Sequence, residues 1–442
     1  MRHGSAERER ETMKKKQIKK QLRKMIKKQE KILIDMRCLM LGVEEPVRIE
    51  IQKVKPEKLP LVENCDLKNR AEMDPQKENG FPVLRESGCS KEPAEEDPGK
   101  ESAKGIYGVK WDYSDPKNKP ERIGESKGWD DPVPASDTQG EGSSPFDDIY
   151  PWKGMTVSTI VSNSARITER ELKGAVTDEM VHIPEFYYRA VKNTEEKTWT
   201  WEVSDIPRNG FEKHPGSGLY VGRYHTSENN GTLRSVPGKR PLTDTSQTEF
   251  RERSKEKGDR WGMLSLEAWS AIQLLYLIEF ADFDSYARLG SGYTDEENWK
   301  TGVMGQTAGA NYHTIKRSGR SNMYRWIEDP FANCFDWIDG FEGGRKGTFV
   351  NGEATGISLP DPEIITGFGY SKACPWAFIP DSSGADLHEG AAGFVLSSTS
   401  AYPAGVGGYY NAGANFGLFY FGALNAASNT SASLGSRLLY KP

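Results

Sequence analysis

Apolar side chains near the start of the chain recur at alternating steps of four and three: Ile18, Leu22, Met25, Gln29, Ile32, Met36 and Leu39. The spacing is a heptad seam with one polar core position, Gln29, and it predicts one long helix over residues 12–41. Lys, Gln, Leu, Ile and Met dominate it, and no Gly or Pro occurs before Gly42. With Leu22, Gln29 and Met36 as a positions, the d positions are Ile18, Met25, Ile32 and Leu39. Ile at d leans toward three or four strands, so a homo-oligomer, with a trimer favoured, is expected; exchanging the register labels weakens that preference. The alternative is a single amphipathic helix packed on the chain's own core.

Residues 44–104 follow no period. Pro, Glu and Lys dominate and aromatics nearly vanish, so the stretch buries too little apolar area to offset its ordering entropy and reads as an extended linker. Aromatics return at Tyr107, Trp111, Tyr113, Trp129, Phe146, Tyr150 and Trp152, between Pro/Gly/Asp-rich turns, which predicts short strands over residues 105–180. Residues 182–189 and 197–203 predict a hairpin around 193–196, with Trp199, Trp201 and Val203 on one face. Residues 219–225 read as a third strand. Leu266, Trp269, Ile272, Gln273, Tyr276 and Phe280 recur at three and four and predict a helix over 264–281, with Glu267 near its positive end. The expected organisation is a basic helix over 1–43, a linker over 44–104, a β-rich segment over 105–180 and a larger domain over 181–442. No internal repeat is present, and past Asp282 no long helix is expected.

Composition narrows the function classes. The 442 residues carry a net charge of −5, yet residues 1–31 hold 13 Lys/Arg against 4 Glu, a balance of +9 that leaves −14 for the remainder. Such a head can attract nucleic acid or an anionic surface by counterion release. A solvated helix exterior accounts for it more simply, given the heptad, so no nucleic-acid partner is expected. No apolar run approaches the ~20 residues of a membrane helix, and Asp35 and Arg37 interrupt the apolar stretch that a secretory signal would need. Five scattered cysteines (Cys38, Cys65, Cys89, Cys334, Cys374) form no CxxC pair, so a disulfide framework or zinc module is not supported and a reducing compartment is expected.

The last fifty or so residues are the most informative. From Gly390 to Ser436 there is no Asp, Glu, Lys or Arg; Gly, Ala, Ser and Asn are mixed with Tyr and Phe. Rigid aromatics supply contact area at low entropic cost while Ser, Asn and Gly adapt their hydrogen bonding, which is the composition of a binding loop. A buried Gly/Ala-rich strand pair with Asn and Ser at its turns explains the composition equally well.

Motifs add a resemblance. WIEDPFANCFDWIDG, residues 326–340, is similar to the W-x-E-N-x-x-x-N-x-x-E-W-x-D-G segment of the C-type lectin fold shared by formylglycine-generating enzymes and phage receptor-binding proteins. DRWGMLSLEAWSAIQLLYLIEFA, residues 259–281, resembles that group's R-L-P-T-E-A-E-W helix, with Glu267 and Trp269 at matching places. Gly407–Gly408 and LGSRL, residues 434–438, resemble its closing strands. The most specific resemblance is to the variable proteins of diversity-generating retroelements, found on phage tails and prophages. It spans roughly residues 180–442, and YGVKWDYSDP and SPFDDIYPWKGM upstream are similar to phage-type members.

The resemblance implies an α+β fold with a C-type-lectin-like C-terminal domain, β-rich with few helices, whose variable region is about 400–440. It implies a virion-tail location after synthesis in the host cytoplasm, and as partner a bacterial surface protein or glycan. Its exposed, exchangeable positions map onto Tyr409, Asn411, Ala412, Asn415, Phe416, Tyr420, Gly422, Leu424 and Asn425. Its fixed positions map onto Gly407, Gly408, Gly417, Leu418, Gly435, Arg437 and Leu438. Asn is the residue that an AAC or AAT template codon encodes before mutation, though it is also an ordinary turn residue.

An oxidase of the formylglycine-generating type and a purely structural tail component are the alternatives. Related oxidases act through paired cysteines near the terminal strands, and residues 407–442 contain none. Cys334 reads as a small core hydrophobe. The six histidines lack metal-ligand spacing, His388–Glu389 has no third partner, and Asp336 and Asp339 lie outside any calcium-lectin signature. No catalytic residue, cofactor or metal is therefore expected.

Overall fold

Trp199, Trp201 and Val203 alternate with Thr198, Thr200 and Glu202, and the strand they form, Thr198–Ser204, lies at the centre of a five-stranded antiparallel sheet. The two indoles project from the same face and stack at 4.9 Å, as residues two apart on a pleated strand do. The computed structural model describes residues 105–137, 140–161, 167–168, 177–293, 301, 312–361, 363–384, 394–396, 401–410 and 416–442. They fall within one unit, Ala94–Pro442. The heptad at 12–41 and the linker at 44–104 lie outside the described residues.

In that sheet Thr198–Ser204 pairs with Ile106–Asp112 on one side and Tyr187–Asn193 on the other; Glu121–Gly124 and Glu212–Lys213 form the edges. The hairpin expected around 193–196 is present, but its first strand starts at Tyr187. His182 belongs to a separate strand, Thr177–Ile183. Pro184, which has no backbone N–H to give a ladder, stands between the two. Thr177–Ile183 is part of a six-stranded antiparallel sheet ordered Trp261–Met263, Leu438–Tyr440, Leu219–Gly222, Thr177–Ile183, Val157–Val161 and Ile167–Thr168. Both large sheets combine strands from before residue 180 with strands after it.

The helix Leu266–Phe280 packs against Ile106–Asp112, Thr177–Ile183 and Thr198–Ser204, so it touches both sheets. Ser265 caps its start by accepting the Ala268 N–H, and Ala281 ends it in the left-handed region at φ 47°. Every residue of the helix except Glu267 is buried. The expected amphipathic stripe is therefore the visible part of a helix enclosed on all sides, as its nearly all-apolar sequence requires. From its interior, Gln273 Nε2 donates to the Leu418 carbonyl (3.0 Å), and the Trp152 indole reaches the Leu275 carbonyl (3.0 Å). The helix thus anchors the C-terminal tail.

Two shorter helices were not expected. Gln247–Lys255 is mostly polar, but Ser246 accepts the Glu249 N–H (3.2 Å), an S-x-x-E start. Ser285–Leu289 is a single turn, and its Ser285 Oγ accepts the Leu418 N–H (2.8 Å). The described residues form a mostly β-sheet unit with only a few short helices.

Candidate ligand-binding surface

A third sheet carries the tail. Its order is Phe394–Leu396, Phe421–Ala423, Gly405–Val406, Phe335–Trp337 and Leu434–Gly435, with the outer pair on each side parallel and the inner pairs antiparallel. The chain leaves this sheet at Gly435 and enters the six-stranded sheet at Leu438, so residues 434–440 join the two.

Arg437 lies at that junction with no exposed surface. Its Nε donates to Asp336 Oδ2 at 2.8 Å, Nη1 to the Gly222 and Arg223 carbonyls at 3.4 and 3.3 Å, and Nη2 to the Asp329 carbonyl. Nη2 also contacts His225 Nε2 at 3.0 Å, and the same nitrogen lies 3.5 Å from Asp336 Oδ2. Burial pushes the Asp336 carboxyl up, but Arg437 and His225 outweigh it and hold it below the usual carboxylate range. Asp329, also buried, is raised by its burial, although His225, the Ser321 hydroxyl (2.8 Å), Arg437 and the Asn333 amide (3.1 Å) pull it back. Removing one partner of such a buried pair costs about 3–5 kcal/mol, because the other charge is left uncompensated.

The loop above this network is conformationally demanding. Arg325, Trp326, Asp329, Ala332 and Asn333 all have φ between 44° and 72°, which costs roughly 1–2 kcal/mol at Arg325, Trp326 and Ala332 and less at Asp329 and Asn333, whose short polar side chains tolerate it. Its backbone grips the tail: Ala332 N–H donates to Gly407 O (2.9 Å), and Tyr410 N–H donates to Asn333 O (3.3 Å). Gly407 and Gly408 both have φ of 81°. A Cβ on Gly408 would lie 2.2 Å from Phe416 Cδ1, so no side chain fits there. Gly435 is similarly tight, with a Cβ meeting the Leu242 carbonyl at 2.9 Å.

On this frame stands an aromatic cluster. Phe335 packs against Tyr409 (5.1 Å between centroids), Tyr420 (5.4 Å) and Phe416 (6.1 Å); Phe416 meets Tyr420 at 4.3 Å, and Tyr409 meets Tyr410 at 5.6 Å. Phe335, Tyr409, Tyr410 and Phe416 are half-buried, each keeping part of its ring in solvent.

The nine expected surface positions divide. Leu424 is 44% exposed. Tyr409, Phe416, Gly422 and Asn425 are partly exposed. Tyr420 is not exposed as expected: it is 2% accessible beneath Phe416 and Phe335, and burial raises its phenol well above the ordinary value. Asn411, Ala412 and Asn415 lie outside the described residues. Of the expected fixed positions, Gly407, Gly408, Gly417, Leu418, Gly435, Arg437 and Leu438 are all buried. Phe335 and Tyr410 were not singled out from the sequence, although Phe335 stands inside the WIEDPFANCFDWIDG motif and Tyr410 beside Tyr409.

Cys334 and Cys374 are both buried, and burial pushes both thiols up, away from the thiolate a nucleophile needs. Among the described residues no group of three or more His, Cys, Asp or Glu side chains is placed to hold a metal ion, and no helix is long and apolar enough to cross a membrane.

No protein-family model matches the chain, and no curated protein matches it. Among solved structures it is similar to Treponema denticola variable protein 1, at 10% identity and a TM-score of 0.29 over 65% of this chain and 99% of that one. It is also similar to the Major Tropism Determinant I1 variant, at 11% identity and 0.26 over 64% and 71%. The P3c variant of the same determinant matches at 12% identity and 0.25 over 77% and 73%.

Proposed function

We propose that this chain is a receptor-binding protein of a phage or prophage tail, with a C-type-lectin-like domain that displays an exchangeable surface around residues 409–425. Its mechanism is binding, without catalysis. The observation that carries the reading is the half-exposed cluster of Tyr409, Tyr410 and Phe416, in a segment without charge and fixed by backbone bonds from residues 332 and 333. Side chains held in this way can be exchanged without dismantling what positions them. Aromatic anchors among adaptable amides and hydroxyls suit a protein or glycan on a bacterial surface. Trimerisation through residues 12–41 and many copies per particle would multiply a modest single-site affinity by effective concentration.

The test replaces Tyr409, Asn411, Asn415 and Phe416 together by Ala. Melting temperature is expected to change little, while binding of the labelled chain to a panel of bacterial strains, read by flow cytometry, is lost. A collapse in melting temperature would support the buried-strand reading of the tail, and unchanged cell binding would refute the proposed surface.

A further inference from the structure

A second recess lies beside this surface. An open cleft of ≈ 390 Å³ is lined by Arg251, Asp339, Gly340, Phe341, Glu342, Phe349, Asn351 and Gly352, toward the lower end of the ~300–1,000 Å³ usual for small-molecule sites. Its floor residue Phe341 packs edge-on against Phe421 at 4.7 Å, on the strand that carries Gly422. The helix that supplies Arg251 also holds the tail, through Thr248 N–H to the Ala427 carbonyl at 3.2 Å. None of the six described surface positions, Tyr409, Phe416, Tyr420, Gly422, Leu424 and Asn425, lines the cleft.

Its polar groups are fixed in place yet incompletely used. Arg251 Nε and Nη2 reach Asp339 Oδ1 at 3.0 and 2.9 Å, and the Gly340 N–H donates to the same oxygen at 2.9 Å. Every one of these contacts goes to Oδ1, so Oδ2 has no partner among the described residues. Asn351 sits in the left-handed region at φ 51°, in the turn between Gly347–Val350 and Glu353–Ala354. Its Nδ2 donates to Glu267 Oε1 at 2.7 Å, and its backbone N–H to the Gly340 carbonyl at 3.0 Å. The amide is oriented by these bonds, and its Oδ1 accepts none among the described residues. A Cβ on Gly340 would lie 2.8 Å from that Oδ1, so the glycine leaves the amide its room. Glu342 is exposed, and its side chain makes no hydrogen bond or ion pair among the described residues. Phe349 adds an aromatic side chain that is 39% exposed.

From this set we infer that the cleft binds a neutral pyranose unit, at a site separate from the exchangeable surface. The unengaged acceptors of Asp339, Asn351 and Glu342 suit vicinal hydroxyl donors, and the exposed ring of Phe349 suits the apolar C–H face of a sugar. One cation against two carboxylates disfavours an anionic ligand, and the lining is too polar for an apolar one. The inference does not depend on what the aromatic surface binds.

The experiment is saturation-transfer NMR on the full chain with methyl α-mannopyranoside, methyl α-galactopyranoside and N-acetylglucosamine as probes, and N-acetylneuraminate as the anionic control. At least one neutral pyranoside is expected to receive saturation and N-acetylneuraminate none. Phe349→Ala and Glu342→Ala, both at exposed positions, should each weaken the signal, the former about tenfold in affinity. Tyr409→Ala should leave it unchanged. Silence from all three neutral probes, a preference for the anion, or indifference to both cleft substitutions would overturn the inference; so would loss of the signal in Tyr409→Ala, which would assign it to the other surface. Should Phe349→Ala fail to fold by circular dichroism, Glu342→Ala decides alone.

Discussion

Gly408 and Gly422 flank the aromatic cluster and should respond oppositely to the addition of one methyl group. At Gly408 the backbone stands at φ 81°, where an L side chain costs roughly 1–2 kcal/mol. The added Cβ would also lie 2.2 Å from Phe416 Cδ1 and 2.5 Å from its Cβ and Cγ. Relieving that overlap means moving a ring already wedged against Tyr420, an overpacking cost of about 1–3 kcal/mol. Gly408→Ala should therefore destabilise the unit by about 2–5 kcal/mol. At Gly422 the nearest atom to an added Cβ is Tyr420 Cε1 at 3.4 Å, ordinary contact, with backbone outside the left-handed region. Gly422→Ala should fall within about 1 kcal/mol of the parent, with the loss of chain entropy in the unfolded state favouring the variant. Urea unfolding followed by tryptophan fluorescence measures both. A double variant, Gly408→Ala with Phe416→Ala, removes the overlap and keeps the φ strain, so a coupling of about 1–3 kcal/mol is expected between the two sites. Equal stabilities for the two single variants, or no coupling with Phe416, would refute the division into a fixed frame and an exchangeable face.

Two further outcomes are expected. His214 is enclosed by Phe186, Tyr188 and Trp376, and burial lowers its pKa from 6.5 to about 3. Between those values the unfolded chain takes up a proton that the folded chain refuses, so stability is full above pH 6.5 and falls as pH drops through the window. The loss is about 2 kcal/mol by pH 5. Melting curves at pH 7 and pH 5 should show it, and His214→Phe should flatten the difference; a pH-independent parent would contradict it. Removing residues 1–41 should convert a trimer to a monomer by light scattering, and an unchanged mass would discard the coiled coil.

What could be read in the sequence follows from the length of each element. The helix Leu266–Phe280 is long enough for its three-and-four spacing to register, and the strand Thr198–Ser204 long enough for its alternation. The tail strands Gly405–Val406, Phe421–Ala423 and Leu434–Gly435 are two or three residues long, so no period develops along them. Whether Tyr420 faced out was therefore decided by Phe335, far upstream in the chain, and not by its neighbours. Gln247–Lys255 has Phe250 as its one buried apolar residue, so no apolar stripe marked it, and its capping pattern went unread. The roles of Gly407, Gly408 and Arg437 were legible through the motif resemblance alone. Neither composition nor spacing says that an arginine is to be wholly buried.

Arg437 is the first charged side chain after the uncharged stretch that begins at Gly390. Arg437, Asp336 and Asp329 are all buried, and Arg437 binds the Asp336 carboxylate and the Asp329 carbonyl. An ionised side chain at a half-buried position such as 409 or 416 would lose part of its hydration. Aromatic and small side chains carry no such cost, so on the proposed reading they would replace one another there. The strained loop at residues 325–333 serves the same separation. It meets the tail through main-chain hydrogen bonds, which every residue type except proline offers equally. On the proposed reading the frame depends on glycines, one arginine and its carboxylate partner, and the identities of the outer side chains are left open.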